Sequence, residues 1–321
     1  MMSYEFDPEV AAVVPYAPPV DLRNIVGTRQ LLAEAAQQFP AFDPGPDVSV
    51  LTHSAPGVAG APAVDLIVVR PASAPERAAP ALLWFHGGGF VLGDAKEGVP
   101  LLAAAAREHG VIGVSVQYRL APEHRYPAPI ADGESALRWV LDRSGELGID
   151  PEQLFVGGQS AGAAHAVGLA LKLRDSGGPR FAFQLLDIPV VTDRTDSPSA
   201  RDYHDTPVWH RSNAELSWDA YLGEGYGTAP EYAAPARADS LAGLPPTFLS
   251  VNQYDPLRDD GIEFARRLAH EGIATELHLY PGTFHGSAGI ALSAGVSARQ
   301  NADLLAALGR AVRVETLGQT T

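Results

Sequence analysis

The sequence predicts an α/β fold, with a mostly parallel central sheet and helices on both of its faces. Two observations favour this class: short apolar, β-branched runs recur along the chain, and segments with a helical pattern separate them. Nearly continuous apolar strands that alternate with helices are typical of parallel sheets covered on both sides. With 321 residues, 46% of them hydrophobic, the chain can bury one large core, or one core with an appended subdomain.

The predicted elements follow one another in the order that this class requires. The predicted strands are Val64–Val69, Ala81–Phe85, Val111–Val116, Leu154–Val156, Phe181–Ile188, Thr247–Val251 and Thr275–Leu279. The predicted helices are Val99–Glu108, Pro129–Arg143, Ala161–Asp175, Gly261–His270 and Ser297–Val312. Strand–helix–strand crossovers in such a sheet are expected to be right-handed.

Two regions interrupt the alternation. Residues 1–45 contain a predicted helix, Leu22–Gln38, ahead of any strand, and residues 191–245 form a long insert rich in Trp and Tyr. Since an insertion of this length is usually a lid or binding element, we expect both regions to form one helical cap over the carboxyl edge of the sheet. An insert that only supports a subunit interface is the alternative. The core then comprises residues 46–190 and 246–321.

Composition excludes several classes of partner and chemistry. Lys and Arg number 23 against 38 Asp and Glu, a net charge of −15, so the chain repels a phosphate backbone and nucleic acid is not expected as a partner. Because there is no cysteine, thiolate chemistry and cysteine-ligated metals are excluded. No ligand spacing of the H-E-x-x-H type appears, so neither a metal nor another cofactor is predicted.

The ends and apolar runs of the chain bear on its location. The first ten residues are acidic and lack the basic and apolar regions of a secretory signal. No apolar stretch approaches the roughly 18 residues that a membrane-spanning helix needs. We therefore predict a cytoplasmic protein without a membrane span.

The first chemical motif is a serine between two glycines. Leu154–Val156 leads into Gly158-Gln159-Ser160-Ala161-Gly162 and then into a helix rich in small residues. In a G-x-S-x-G turn between strand and helix, the serine is strained and exposed at the helix N-terminus, and the glycines allow close backbone approach. Developing negative charge is favoured there by free amides and the helix dipole. Ser160 is thus the predicted nucleophile.

A second motif, His86-Gly87-Gly88-Gly89-Phe90, directly follows the predicted strand Ala81–Phe85. Consecutive glycines after a strand let backbone N–H groups converge on one point, as a tetrahedral oxyanion requires. A phosphate-binding loop is the alternative. A Walker loop needs Gly-Lys-Ser/Thr, which is absent, and a dinucleotide loop needs a helix where the apolar stretch Phe90-Val91-Leu92 stands. We interpret His86 as a residue that orders this loop.

An acid and a base follow later strands. Asp255 comes just after Thr247–Val251, and His285 lies in the loop after Thr275–Leu279. Asp255-Pro256 also suits a helix N-cap, which is compatible with a catalytic role at the same edge. The chain order Ser160, Asp255, His285 is the order of the α/β-hydrolase fold. In that arrangement His285 takes the serine proton and Asp255 holds the imidazole in its tautomer.

Taken together, the motifs resemble the bacterial hormone-sensitive-lipase-like esterases, a branch of the α/β hydrolases. The matching motifs are HGGGF at 86–90, YRLAPEH at 118–124, ALRWV at 136–140, the serine turn, DPLRD at 255–259 and His285-Gly286. The resemblance implies an oxyanion hole made by the amides of Gly88, Gly89 and Ala161. It also implies a cap that joins the N-terminal segment to the insert, a preference for short acyl chains, and a homodimer.

The expected activity is hydrolysis of short to medium acyl esters through an acyl-enzyme, with a small-molecule ester as the partner. The pocket is expected between the triad and the cap, with Phe90, Trp209 and Tyr254 in its wall. Gln159, where the family usually has an acid, borders the pocket. An amidase, a lactonase or an acyltransferase can use the same triad. A receptor on this scaffold, known with a broken triad, is disfavoured because the triad is complete.

Overall fold

The computed structural model describes residues 4–38, 40–73 and 77–318, so residues 1–3, 39, 74–76 and 319–321 of the predicted domains lie outside it. One sheet of eight strands forms the centre, in the order β1-β2-β4-β3-β5-β6-β7-β8. The strands are β1 Val48–Ala55, β2 Val64–Pro71, β3 Ala79–Phe85, β4 Ile112–Val116, β5 Ile149–Gln159, β6 Phe183–Asp187, β7 Thr247–Tyr254 and β8 Thr275–Phe284.

The sheet is antiparallel only at one side. β1 pairs with β2, and β2 pairs with β4, in antiparallel register, whereas every pairing from β4 through β3 to β8 is parallel. β3 and β4 are fully buried, as strands covered on both faces should be. The carboxyl ends of the parallel strands therefore meet at one edge, which confirms the predicted α/β-hydrolase fold.

Helices cover both faces of the sheet. They are α1 Pro8–Ala11, α2 Ile25–Ala36, α3 Val99–His109, α4 Ala128–Asp142, α5 Ser144–Leu147, α6 Ala161–Ser176, α7 Pro198–Asp202, α8 Arg211–Leu222, α9 Arg258–His270, α10 Ser287–Ile290 and α11 Gly295–Gly318. On one face, α4, α6 and α9 pack over the sheet, and on the other, α3 and α11 enclose a second apolar cluster. α9 begins at Arg258 rather than at Gly261, three residues earlier than predicted.

The N-terminal segment and the insert pack together above the carboxyl edge. Leu22 shares a buried cluster with Trp209 and Trp218 of the insert. Asn213 on α8 donates a 3.0 Å hydrogen bond from its amide nitrogen to the carbonyl of Val20. These contacts bring the two chain segments over the edge where the strands of the core end. Among the described residues, no helix combines the length and apolar character needed to cross a membrane.

Candidate active site

Ser160 occupies the turn between β5 and α6 with φ 53° and ψ −117°, a conformation that L residues rarely adopt. Two glycines allow this turn. A Cβ on Gly162 would lie 2.1 Å from the carbonyl oxygen of Phe85, and one on Gly158 would lie 2.4 Å from the backbone of Gly162. The G-x-S-x-G spacing is thus a packing requirement that lets strand, turn and helix approach closely.

Three side chains from distant parts of the chain form a connected set. Ser160 Oγ lies 2.9 Å from Nε2 of His285, and Nδ1 of His285 lies 2.7 Å from Oδ2 of Asp255. Because an ionised carboxylate only accepts, Nδ1 carries the hydrogen and Nε2 is left free to accept the serine proton. Ser160, His285 and Asp255 are 4%, 5% and 0% exposed, so the path between their side chains is shielded from bulk water.

The strand ends hold the acid and the base in place. Asp255 follows β7 directly, and its Oδ1 accepts a 2.8 Å hydrogen bond from the amide of Leu257. Asn252 on β7 donates from its side-chain nitrogen to the carbonyl of Phe284 at 2.7 Å, which fixes the backbone just before His285. Asp255 is not the N-cap of α9, as the sequence had suggested, because that helix begins at Arg258 with Leu257 at the capping position. Oδ1 of Asp255 closes a turn with the amide of Leu257 instead, which leaves Oδ2 for His285.

The glycine loop after β3 offers free backbone donors. Gly88 and Gly89 have φ of 114° and 57°, and a Cβ on Gly88 would lie 2.2 Å from the carbonyl oxygen of Leu92. Within the described part of the chain, the amides of Gly88, Gly89 and Ala161 have no hydrogen-bond acceptor. Ala161 is the first residue of α6, where amides are unpaired and the helix dipole favours an anion.

Trp209 brings the insert into the site. A Cβ on Gly89 would lie 2.2 Å from the outer edge of the Trp209 indole, so the ring rests directly on the glycine loop. The same ring lies 5.9 Å from the imidazole of His285, centroid to centroid. The insert therefore covers the glycine loop and the base together.

A cavity of about 480 Å³ lies on the other side of the glycine loop. Gly87 and Gln159 line it, and a Cβ on Gly87 would lie 3.6 Å from the Cβ of Ser160. Gly87 thus lies between the cavity and the serine, and none of the side chains of Ser160, Asp255 and His285 lines the cavity itself. The volume is in the range of small-molecule pockets.

Asp187, at the end of β6, was not predicted as a site residue. Its backbone oxygen accepts the amide of Ser160 at 2.8 Å, and its buried carboxylate accepts hydrogen bonds of 2.6 to 2.8 Å from the side chains of Gln159, Ser250 and Gln300. Gln159, which stands where the family usually has an acid, therefore lies within hydrogen-bond distance of a carboxylate on the neighbouring strand. The sequence signal that could have identified Asp187 is an acidic residue near the end of a strand, at the edge of the sheet where Ser160 lies.

The other predicted residues lie further from the serine. Phe90 is fully buried and stacked on Tyr221, with centroids 4.2 Å apart, beneath the insert. Tyr254 packs against Tyr203 and against Phe6 of the N-terminal segment. Their place in the pocket wall stays a prediction.

Two further histidines, His86 and His165, are buried among neighbouring side chains. His86 donates from Nδ1 to the carbonyl of Gly87 at 2.7 Å and stacks on Tyr118, and burial lowers the pKa of His86 to about 4. His165, on α6, is buried against Phe90 and Tyr118, and burial lowers its pKa to about 3. Both rings are therefore neutral at pH 7, and His165 is a packing residue. Among the described residues, no cluster of three His, Asp or Glu is arranged to hold a metal.

Comparison with known proteins gives the class of this chain. A family model described as the alpha/beta hydrolase fold matches residues 82–289. Esterase LipI of Mycobacterium tuberculosis is 37% identical over 88% of this chain and 87% of its own length. Carboxylesterase NlhH of the same species is 40% identical over 73% of this chain and 74% of its own. The solved bacterial heroin esterase superposes with a TM-score of 0.92, at 44% identity over 96% of this chain and 98% of that one.

The chain belongs to the α/β-hydrolase family and, within it, to the hormone-sensitive-lipase-like esterases. Its activity is accordingly that of a serine carboxylesterase, which hydrolyses small carboxylic esters. The motifs that carried the resemblance in the sequence lie within the matched residues.

Proposed function

We propose that this carboxylesterase works through Ser160 as nucleophile, His285 as general base and acid, and Asp255 as the group that orients His285. His285 takes the hydroxyl proton as Ser160 Oγ attacks the ester carbonyl, and it gives that proton to the leaving alcohol as the acyl-enzyme forms. Water, deprotonated by the same imidazole, then attacks the acyl group and releases the acid. The supporting observation is the unbroken path of 2.9 Å and 2.7 Å between the three side chains.

The amides of Gly88, Gly89 and Ala161 are the proposed donors to the tetrahedral oxyanion. Among the described residues these three amides donate to no other group. Two of them lie in the glycine loop after β3, and the third is the first amide of α6. Donors fixed in place before the reaction stabilise the charge without reorganisation, and loss of one such donor typically costs about 10²–10³ in kcat.

The nucleophile is tested with a fluorophosphonate probe. We expect stoichiometric labelling at Ser160, complete loss of labelling in Ser160→Ala, and a fall in kcat of several orders of magnitude for a p-nitrophenyl ester. Ser212→Ala is the control, because Ser212 is exposed on α8 and far along the chain from the triad. Labelling that persists in Ser160→Ala would reject the assignment.

The substrates proposed are esters with short to medium acyl chains. A cavity of about 480 Å³ beside the serine supports this size class. A series of p-nitrophenyl esters of rising acyl length, measured beside the amide of the best acyl group, tests it. A maximum in kcat/KM at short or medium chains is expected, while faster cleavage of the amide would favour an amidase over an esterase.

The domain organisation is also a proposal. A cap made of residues 1–45 and 191–245 is supported by the contacts of Leu22 and Val20 with the insert. A homodimer is supported by the edge strand β8, which exposes Leu277 and Leu279. Sedimentation analysis would decide on the dimer. Cytoplasmic location stays a prediction from the sequence.

A further inference from the structure

The cavity beside Ser160 is mostly apolar. Its apolar wall comes from β3, α3, α10 and α11, and includes Trp84, Leu101, Leu304 and Leu305. Its ionisable side chains are those of His86, Glu97 and Asp187. No Lys or Arg is among the described residues that line it, so the cavity has acidic groups without a basic counterpart.

The two carboxylates in this wall differ in how well they are satisfied. Asp187 is 3% exposed and accepts hydrogen bonds from three side chains, so its charge is compensated. Glu97 lies in the short 3-10 helix Ala95–Gly98, open to the cavity, and forms no ion pair with a described residue. Glu97 is therefore the carboxylate that is available to an occupant of the cavity.

His86 adds a second free acceptor. Its Nδ1 donates to the carbonyl of Gly87, so Nε2 of the neutral ring carries a lone pair. Nε2 is buried and has no hydrogen-bond partner among the described residues. This nitrogen is too deeply buried to bond an occupant directly, but its uncompensated lone pair makes the electrostatic potential in the adjoining cavity more negative, which favours a positively charged group there.

We propose that this cavity binds the cationic part of an ester that carries an ammonium group, with Glu97 as the residue that selects for the charge. The proposal rests on the proposed function, since the ester carbonyl must lie at Ser160 while the ammonium lies in the cavity. Trp84 in the wall supplies an aromatic surface, which cations also favour. Gly87 connects the two places, because it lines the cavity and lies against the Cβ of Ser160.

A pair of isosteric esters tests the charge alone. Acetylcholine and 3,3-dimethylbutyl acetate have the same acyl group and nearly the same shape, but only acetylcholine is cationic. We expect a higher kcat/KM for acetylcholine at pH 8, and a fall of about fivefold in the ratio of the two kcat/KM values in Glu97→Gln, the size of a partly screened ion pair. Glu108→Gln, on the exposed end of α3, removes the same charge outside the cavity and should keep the wild-type ratio.

The pH dependence of the ratio gives a second readout that needs no variant. Desolvation by the surrounding cavity wall raises the pKa of Glu97 to about 7, although part of the side chain stays open to the cavity. The preference for the cation should therefore grow between pH 6 and pH 8 as Glu97 ionises. Changes in the shared catalytic step affect both esters equally and cancel in the ratio. Two other titratable groups near Glu97 stay in one charge state over this range. Burial lowers the pKa of His86 to about 4, so its ring is neutral, and burial raises the pKa of Tyr118 well above its ordinary value. The other acidic side chains nearby are those of Asp94 and Asp187.

The outcomes separate the two proposals. Hydrolysis of both esters with a ratio of one, or with a ratio that Glu97→Gln leaves unchanged, would overturn the assignment of the cavity and leave the triad intact. If Glu97→Gln lowers the melting temperature strongly, the wild-type pH profile decides, and a flat ratio between pH 6 and pH 8 rejects the role of Glu97. Failure of the wild-type enzyme to hydrolyse either ester, or p-nitrophenyl acetate, would overturn the proposed function itself.

Discussion

At the residue scale, Asp187 shows how one residue can order the turn that carries the proposed nucleophile. Its backbone holds the amide of Ser160, and its carboxylate holds the side chains of Gln159, Ser250 and Gln300. These partners lie on β5, β7 and α11, so Asp187 on β6 ties the strained serine turn to three other elements. Satisfied buried networks of this kind favour a single arrangement of the surrounding backbone.

Asp187→Asn should disturb this network. In this variant an amide nitrogen replaces one carboxylate oxygen and cannot accept the hydrogen bond donated to that position. Buried groups are then left unpaired, at a cost of about 1–3 kcal/mol. We expect urea unfolding to report that loss and kcat for p-nitrophenyl acetate to fall about tenfold, because the serine turn loses its alignment. Asp202→Asn, on an exposed position of α7, should change neither quantity. Wild-type stability in Asp187→Asn would show that the network is dispensable.

At the element scale, the start of α9 joins the insert to the acid of the triad. The hydroxyl of Ser199 on α7 accepts from the amide of Asp259, and the carboxylate of Asp259 accepts from the amide of Ser199 at 2.9 Å. This reciprocal pair lies four residues after Asp255. The next residue, Asp260, accepts a hydrogen bond from the hydroxyl of Ser197, and burial raises the pKa of Asp260 to about 7.

Asp260 should make the stability of the protein depend on pH. Because the pKa of Asp260 is higher in the folded state than its unfolded value of 3.8, its contribution is complete below about pH 4 and is lost as the pH rises through 7. The stability advantage of Asp260→Asn over the wild type should therefore be larger at pH 8 than at pH 5. We expect the difference to be about 1–2 kcal/mol after discounting for partial exposure. Urea unfolding at both pH values measures this.

Glu263→Gln is the matched control, since Glu263 lies on the same helix in an exposed ion pair with Arg266. Its effect on stability should be below about 0.5 kcal/mol at either pH. An equal advantage of Asp260→Asn at pH 5 and pH 8 would contradict the raised pKa.

Elements with a clear apolar period were predictable, and elements without one were not. Each predicted strand coincides with an observed one, because central parallel strands are apolar on both faces. Strand β1 was missed: it is antiparallel, at the outer side of the sheet, and most of its residues face solvent. Helix α8 was also missed, since its buried face is set by packing on Leu22 and Phe90 rather than by its own pattern.

The site was predictable to the extent that chemistry and chain order define it. Ser160, Asp255 and His285 lie together as the order of strands requires. Asp187 carries no motif, and only the order of the strands places it beside Ser160. Glu97, in the 3-10 helix after the glycine loop, likewise carries no motif that links it to the cavity it lines.

At the scale of the whole molecule, the first residues of the chain support the last part of the core. Phe6 packs edge-to-face on Tyr254 and Phe284, the residues just before Asp255 and His285, with centroids 5.4 Å and 5.5 Å apart. The amide of Asp7 donates to the carbonyl of Gly282, near the end of β8, at 2.9 Å. The N-terminal segment thus steadies both loops that carry the acid and the base.

Phe6→Ala should lower stability and turnover together. Loss of a half-buried aromatic ring with two ring partners should cost about 2 kcal/mol, and looser loops should reduce kcat about tenfold. Thermal unfolding and p-nitrophenyl acetate kinetics measure the two effects. Tyr16→Ala, an aromatic residue 84% exposed in the same segment, should be neutral. A normal kcat in a destabilised Phe6→Ala would limit the segment to a structural role.

The indole of Trp209 has a consequence for how this enzyme can be modified. Because the ring rests on Gly89 and faces His285, the insert and the glycine loop have matched shapes and must change together. A chimera that received the insert of a relative would present a different side chain at this contact. Recombination between such enzymes should therefore succeed when the crossover points keep both segments from the same parent.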